Sequence, residues 1–145
     1  MNRLELRFSA LLENVAFART SVASFISSLN PTIDEIQEVK TIVSEGISNA
    51  IIHGYKLNGS RDVFIKVYIK KRKVEIIIQD YGIGIKNLDE ALYPSFSTNK
   101  ENEHAGMGFT IMQTLSDNFE VKSYPGLGTK LVIIKELTPL SEEVY

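Results

Sequence analysis

A short run of alternating and β-branched residues, Val74-Glu75-Ile76-Ile77-Ile78-Gln79, ends on Asp80 and opens at once into Tyr81-Gly82-Ile83-Gly84. No other stretch constrains the fold as strongly. The run reads as a strand over 74–80. An acid at the end of a buried strand can accept hydrogen bonds from a ligand at the sheet edge. The two glycines let the backbone turn sharply and approach that ligand closely. The same five residues also suit a plain Asp-plus-Gly turn between strands. Their company separates the two readings: Glu45, Asn49 and Gly106-Met107-Gly108.

Upstream, Leu4, Leu6 and Phe8 alternate with Arg3, Glu5 and Arg7, a first strand with one buried face. Leu11, Val15, Ala18, Val22, Phe25, Ile26 and Leu29 then form an apolar stripe, predicting a helix over 11–29 that Asn30-Pro31 stops. Phe17 and Arg19 flank that stripe. They fit a packed aromatic with a snorkelling arginine, or a partner contact. Thr32-Ile33-Asp34-Glu35 reads as a capping box. It opens a helix over 33–53 that buries Ile36, Val39, Ile42, Val43, Ile47, Ala50 and Ile51. On another side Glu45, Asn49 and His53 recur at four-residue steps. A polar row on a helix is often only a solvated face. This one is bordered by Gly46, Ser48, Ile52 and Gly54, with few charges, which suits a cleft.

Asn58-Gly59-Ser60 is a turn, and alternation from Val63 to Ile69 gives a second strand. Lys70-Lys71-Arg72-Lys73 lies between two strands, so an exposed hairpin turn outweighs a nucleic-acid contact. The stretch over 85–105 has no sustained period, apart from a short helix around Leu88-Asp89-Glu90-Ala91-Leu92. A loop this long in a compact domain is usually functional or mobile. Gly106-Met107-Gly108 closes it, with a helix expected to start at Phe109. Strands follow over 118–124 and 129–135, joined by Pro125-Gly126-Leu127-Gly128. The tail from Thr138 reads as frayed. This order predicts one domain over 1–145: a two-layer α/β sandwich, with a mixed sheet and helices on one face.

The chain's 145 residues and 43% hydrophobic content suit a packed core. Sixteen basic against eighteen acidic residues leave a charge of −2, which argues against a nucleic-acid groove. The absence of cysteine excludes disulfides and thiolate metal sites. No run approaches the roughly 20 apolar residues a bilayer requires, and no signal peptide is visible. The expectation is a cytoplasmic protein that engages neither membrane nor nucleic acid directly.

Two familiar nucleotide signatures, the Walker loop and the dinucleotide fingerprint, are missing. With His53 and His104 the only histidines, a Ser-His-Asp site has little support. What remains is oxygen-rich. Asn49 offers an amide oxygen suited to Mg²⁺. Glu45, one turn away, can hold a water or act as general base. Glycines 106 and 108 at a helix start can wrap a polyphosphate with backbone amides, and Asp80 can accept the amino group of a base. Together these describe a Mg-nucleotide site.

The set Glu45-x-x-x-Asn49, Asp80-x-Gly82-x-Gly84, Gly106-x-Gly108 and Gly126-x-Gly128-Thr129 resembles the four boxes of the GHKL ATPases, which include sensor histidine kinases. Within that superfamily, Phe8-Ser9-Ala10, Asn14, Phe17-Ala18-Arg19, Ile51-Ile52-His53-Gly54-Tyr55 and Gly106 to Met112 resemble the anti-sigma F factors of endospore-forming bacteria. These are serine-protein kinases. The likeness implies the Bergerat (GHKL) fold, ATP or ADP with Mg²⁺, and a homodimer. The partners implied are sigma factor F and an anti-anti-sigma factor, which is phosphorylated on serine. It implies that Asp80 binds the adenine amine, helped by Thr129 through water. Asn49 would ligate Mg²⁺ and Glu45 would deprotonate the attacking serine. Gly106, Met107 and Gly108 would cradle phosphates. His53, Gly82, Gly84, Ile85 and Thr98 would complete the nucleotide site. Arg19, with Phe17, would contact both partners. The chain departs from the family at His104, where an arginine is expected near the terminal phosphate. That departure supports one alternative, an ATP-binding switch without efficient kinase activity. Two others are an anti-sigma factor for a stress sigma factor and the catalytic half of a histidine kinase.

Overall fold

The computed structural model describes residues 1–92 and 103–140, with the backbone alone for 103–107. Along the chain come β1 (Asn2–Ser9), α1 (Val15–Ile26), α2 (Ile33–Asn49), β2 (Asp62–Lys70), β3 (Lys73–Asp80), α3 (Leu88–Leu92), α4 (Glu103–Leu115), β4 (Asn118–Tyr124) and β5 (Gly128–Glu136). The 3₁₀ turns Leu12–Asn14 and Ser27–Leu29 flank α1, and a π-helical turn, Ala50–Gly54, prolongs α2.

The sheet order is β1-β2-β3-β5-β4, and every neighbouring pair is antiparallel. This corrects the expected mixed sheet. β3 and β4 do run the same way, because the helical connection between them carries the chain back. The tight turn after β4 then folds β5 into the space between them, so no parallel pair is hydrogen-bonded. Register aligns Leu6, Ile65, Ile78 and Leu131 across the sheet, and likewise Leu4, Val67, Ile76 and Ile133. Six of these eight are buried, and they share one core with Ala18, Val22 and Ile26 of α1, Val39, Ile42, Val43 and Ile47 of α2, and Met112 of α4. Full burial of each large aliphatic side chain is worth about 1.5–3 kcal/mol. The result is the expected two-layer α/β sandwich.

The predicted first helix starts too early. Leu11 lies ahead of it and is 39% exposed. Its side chain closes over Gly59 instead, where a Cβ would come within 2.3 Å of it. The helix ends as expected, with Asn30 left-handed at φ 50° before Pro31.

At α2 the capping box forms. The Glu35 amide donates to Thr32 Oγ1 at 3.1 Å, and the Thr32 amide donates to Glu35 Oε1 at 2.9 Å. Such a cap is worth roughly 1 kcal/mol. Glu35 is itself buried, and its second oxygen accepts the Thr138 amide at 2.7 Å. Burial would push its carboxyl up. The amides of Thr32 and Thr138, the Thr32 hydroxyl and the Arg72 charge together hold it below its ordinary value. Arg72 in turn donates to the carbonyls of Thr138 and Leu29. Thr138 is therefore anchored rather than frayed, because a buried carboxylate and a guanidinium both need its backbone. The basic tetrad forms the β2–β3 hairpin turn, with Lys71 at φ 55°. Among the described residues no helix is long and apolar enough to cross a membrane.

Candidate nucleotide site

The expected helix over 33–53 is α-helical only to Asn49 and continues as the π turn. There the Tyr55 amide reaches back to the Ala50 carbonyl at 2.9 Å. π turns often mark functional positions. This one delivers Gly54 to the end of β3, so closely that a Cβ on Gly54 would sit 2.7 Å from Asp80 Oδ1. A Cβ on Gly82 would lie 2.0 Å from the Gly54 carbonyl oxygen. The two glycines let the π turn and the chain leaving β3 meet around one carboxylate. The Gly82 amide donates to Asp80 Oδ1 at 2.9 Å, and the Ile83 amide donates to the Gly54 carbonyl at 2.9 Å. Gly84 has φ 73°, a left-handed turn that glycine takes at little cost.

Asp80 is only 5% exposed. Burial pushes its carboxyl up to about 6, against the amides of Gly82 and Thr129 and the Arg61 charge, which pull it down. A buried acid with so few donors of its own is suited to accept one more from a ligand. Thr129 faces Asp80 across the β3–β5 pair. Its hydroxyl lies 2.8 Å from Ser123 Oγ, and Ser123 Oγ accepts the Ile85 amide at 2.8 Å. Asp80, Gly82, Gly84, Ile85 and Thr129 thus form one connected wall with Gly54.

A second group lies further up α2. A Cβ on Gly108 would come 3.0 Å from Asn49 Nδ2 and 3.1 Å from Glu45 Oε2. Glu45 and Asn49 therefore face α4 rather than forming a solvated face. Among the described residues, Asn49 Nδ2 is buried without a hydrogen-bond partner. A buried polar atom in that state costs about 1–3 kcal/mol, which marks Asn49 as a candidate ligand-binding group. Oxygen and nitrogen of an amide differ by a half-turn of the last bond. A hard cation takes the oxygen, and the donor set fits Mg²⁺ in that orientation. Among the described residues no group of three or more His, Cys, Asp or Glu side chains can hold a metal. A cation here would need substrate oxygens as well as Asn49.

The helix after the glycines starts earlier than expected. α4 begins at Glu103, so Gly106, Met107 and Gly108 lie inside its first turns. Two helical glycines cost about 1 kcal/mol each relative to alanine. Packing outweighs this, because Gly108 without a side chain lets α4 approach Glu45 and Asn49. The first four amides of a helix lack partners within it. Here they belong to residues 103–106, which include His104 and Gly106. The side chains of His104 and Met107, and all of Thr98, lie outside the described residues. His53 sits half-buried in the π turn.

Arg19 and Phe17 are not part of this set. Arg19 Nη1 donates to Ser44 Oγ on α2 at 3.3 Å, while Phe17 is 56% exposed. Phe17 lines an open groove of about 760 Å³ with Leu4, Ala16, Thr20, Ser21 and Phe25. From the sequence, Gly54 borders the polar row and both Gly54 and Tyr55 belong to the family likeness, but their place at Asp80 was not expected. A glycine directly after the polar row was the available signal.

A family model for the histidine kinase-like ATPase domain matches residues 8–135. The anti-sigma F factor of Bacillus thuringiensis is 49% identical over 137 residues, covering 94% of both chains. That of Shouchella clausii is 47% identical with the same coverage. Among solved structures, the RsbU and RsbW domains of a Mycobacterium tuberculosis protein superpose with a TM-score of 0.67 at 13% identity, over 94% of this chain and 32% of that one. The catalytic domain of the histidine kinase ThkA gives 0.52 at 15% identity, over 94% of this chain and 97% of its own. These two likenesses concern the fold. The sequence likeness goes further: the chain belongs to the anti-sigma F factor family of histidine kinase-like ATPase domains.

Proposed function

We propose that this chain is a cytoplasmic anti-sigma factor that binds ATP with Mg²⁺, holds sigma factor F inactive as a homodimer, and phosphorylates a serine of an anti-anti-sigma factor. The buried Asp80 carboxylate, backed by Gly54 and bonded by Gly82, carries this reading. Its single-acceptor surroundings suit the exocyclic amine of adenine, with Thr129 alongside. Glu45 and Asn49 face α4 together, which is where a phosphate chain extending from that base would run.

In this reading Asn49 would help hold Mg²⁺, and the bound ion would supply positive charge to the phosphates. Glu45 takes the proton of the attacking serine. The free amides at the start of α4, with Gly106, Met107 and Gly108, meet phosphate oxygens. His53, Gly84, Ile85 and Thr98 complete the nucleotide's surroundings. His104 occupies the chain position where the family likeness expects an arginine, and a histidine is a weaker phosphate partner than arginine. Arg19 and the exposed Phe17 serve the protein partners.

Incubation with γ-labelled ATP, Mg²⁺ and the cognate anti-anti-sigma protein tests the proposal. Label on a partner serine is expected. Bound nucleotide without transfer would instead favour a switch that uses ATP only to set its conformation, a reading that the substitution at His104 supports.

A further inference from the structure

We propose that Tyr55 is a positioning residue for nucleotide recognition: its hydroxyl holds the backbone that follows Asp80 and so sets the aim of the carboxylate. This rests on the adenine reading of Asp80 given above. Tyr55 is 6% exposed. Its hydroxyl donates to the Asp62 carbonyl at 2.6 Å and accepts the Tyr81 amide at 2.8 Å. β3 ends at Asp80, so the Tyr81 amide has no strand partner of its own. Burial keeps the phenol protonated, leaving one hydrogen to give and a lone pair to receive.

The other side of Tyr81 is held as well. The Arg61 guanidinium lies 5.0 Å over the Tyr55 ring and donates to the Tyr81 carbonyl at 2.8 Å. Both peptide groups of Tyr81 are thus fixed by a side chain from the connection between the π turn and β2. The next amide, that of Gly82, is the one bonded to the Asp80 carboxylate. Tyr55 also follows directly on Gly54, whose backbone lies against that carboxylate. One segment therefore supports the acid from behind and secures the turn ahead of it.

Tyr55→Phe keeps the ring and deletes the bond. The experiment is calorimetric titration of wild type and variant with ADP and with IDP, each with Mg²⁺. IDP carries a carbonyl where ADP has the amine, so at that position it offers Asp80 an acceptor in place of a donor. Wild type should bind ADP more tightly than IDP. In the variant, ADP affinity should fall about tenfold while IDP affinity stays within about twofold, because losing one buried bond misaims the acceptor. If the variant keeps the full ADP-to-IDP ratio, or loses both affinities equally, Tyr55 has no positioning role. Should Tyr55→Phe fail to fold, Arg61→Met reads the same ratio from the exposed member of the clamp. A reduced ratio supports the proposal and an unchanged one overturns it. A wild type that does not discriminate between the nucleotides overturns the adenine reading itself.

Discussion

At the Asp80 end of the site, each close contact has glycine backbone on at least one side. Gly54, Gly82 and the strand end meet at distances that exclude a Cβ, and the amides of Gly82 and Ile83 are bonded in place. At the Glu45 end, the contacts are side-chain tips against Gly108, and among the described residues Asn49 Nδ2 is buried without a hydrogen-bond partner. The first region is fixed by the fold, whereas in the reading proposed above the second is completed by what binds. Backbone contacts fix a position once and for all, because they are part of the core. Side-chain tips can turn toward a ligand at little cost. A protein that must hold one base in one pose, yet release a transferred group, has use for both.

Changes at the two ends should therefore fail differently. Glu45→Gln carries the largest expected effect. Phosphoryl transfer should fall by roughly 10²–10⁴-fold, the usual worth of a general base, with ATP affinity nearly unchanged by calorimetry. Transfer at the wild-type rate would remove Glu45 from the base role. Gly82→Ala should next cost about 3 kcal/mol or more in urea unfolding, since its Cβ would meet backbone rather than a movable side chain. Wild-type stability would mean that the Asp80 end is not fixed as described.

Asp80→Asn should weaken ADP binding by about 1–3 kcal/mol, because a buried acceptor gains donors that nothing matches. Unchanged affinity would count against the adenine assignment. The smallest effect is on pH dependence. The Asp80 carboxyl lies near 6 in the folded protein against an ordinary 3.8, so the folded chain holds this proton more tightly than the unfolded one. Stability from this group is thus full at low pH and is lost as pH rises toward about 6. Nucleotide affinity should run the other way, since a donor prefers the ionised acid. Calorimetry between about pH 8 and about pH 5 should show binding weaken below about 6, by at most about tenfold per unit. Asp80→Asn should flatten that profile.

Elements whose causes are local were legible in the chain. The capping box at Thr32 and Glu35, the short α3 and the edges of β4 all depend on residues a few positions apart. The four glycine and acid boxes were legible for the same reason. The start of α4 was not, because Gly106 and Gly108 locally disfavour a helix that packing on Glu45 and Asn49 requires. Nor was Leu11, which leaves its stripe to cover a glycine forty-eight residues on.

Sequence alone determined which residues are candidates for the chemistry, since their types and spacing limit what they can bind, and it determined the layering, since periodicity dictates which faces must be buried. Only the tertiary structure decided that β5 lies between β3 and β4, that a π turn brings Gly54 against Asp80, and that Tyr55 and Arg61 hold the turn beyond it. Those features arise from contacts between segments far apart in the chain. Backbone hydrogen bonds and close approach set their geometry, and neither leaves a periodic mark on the sequence.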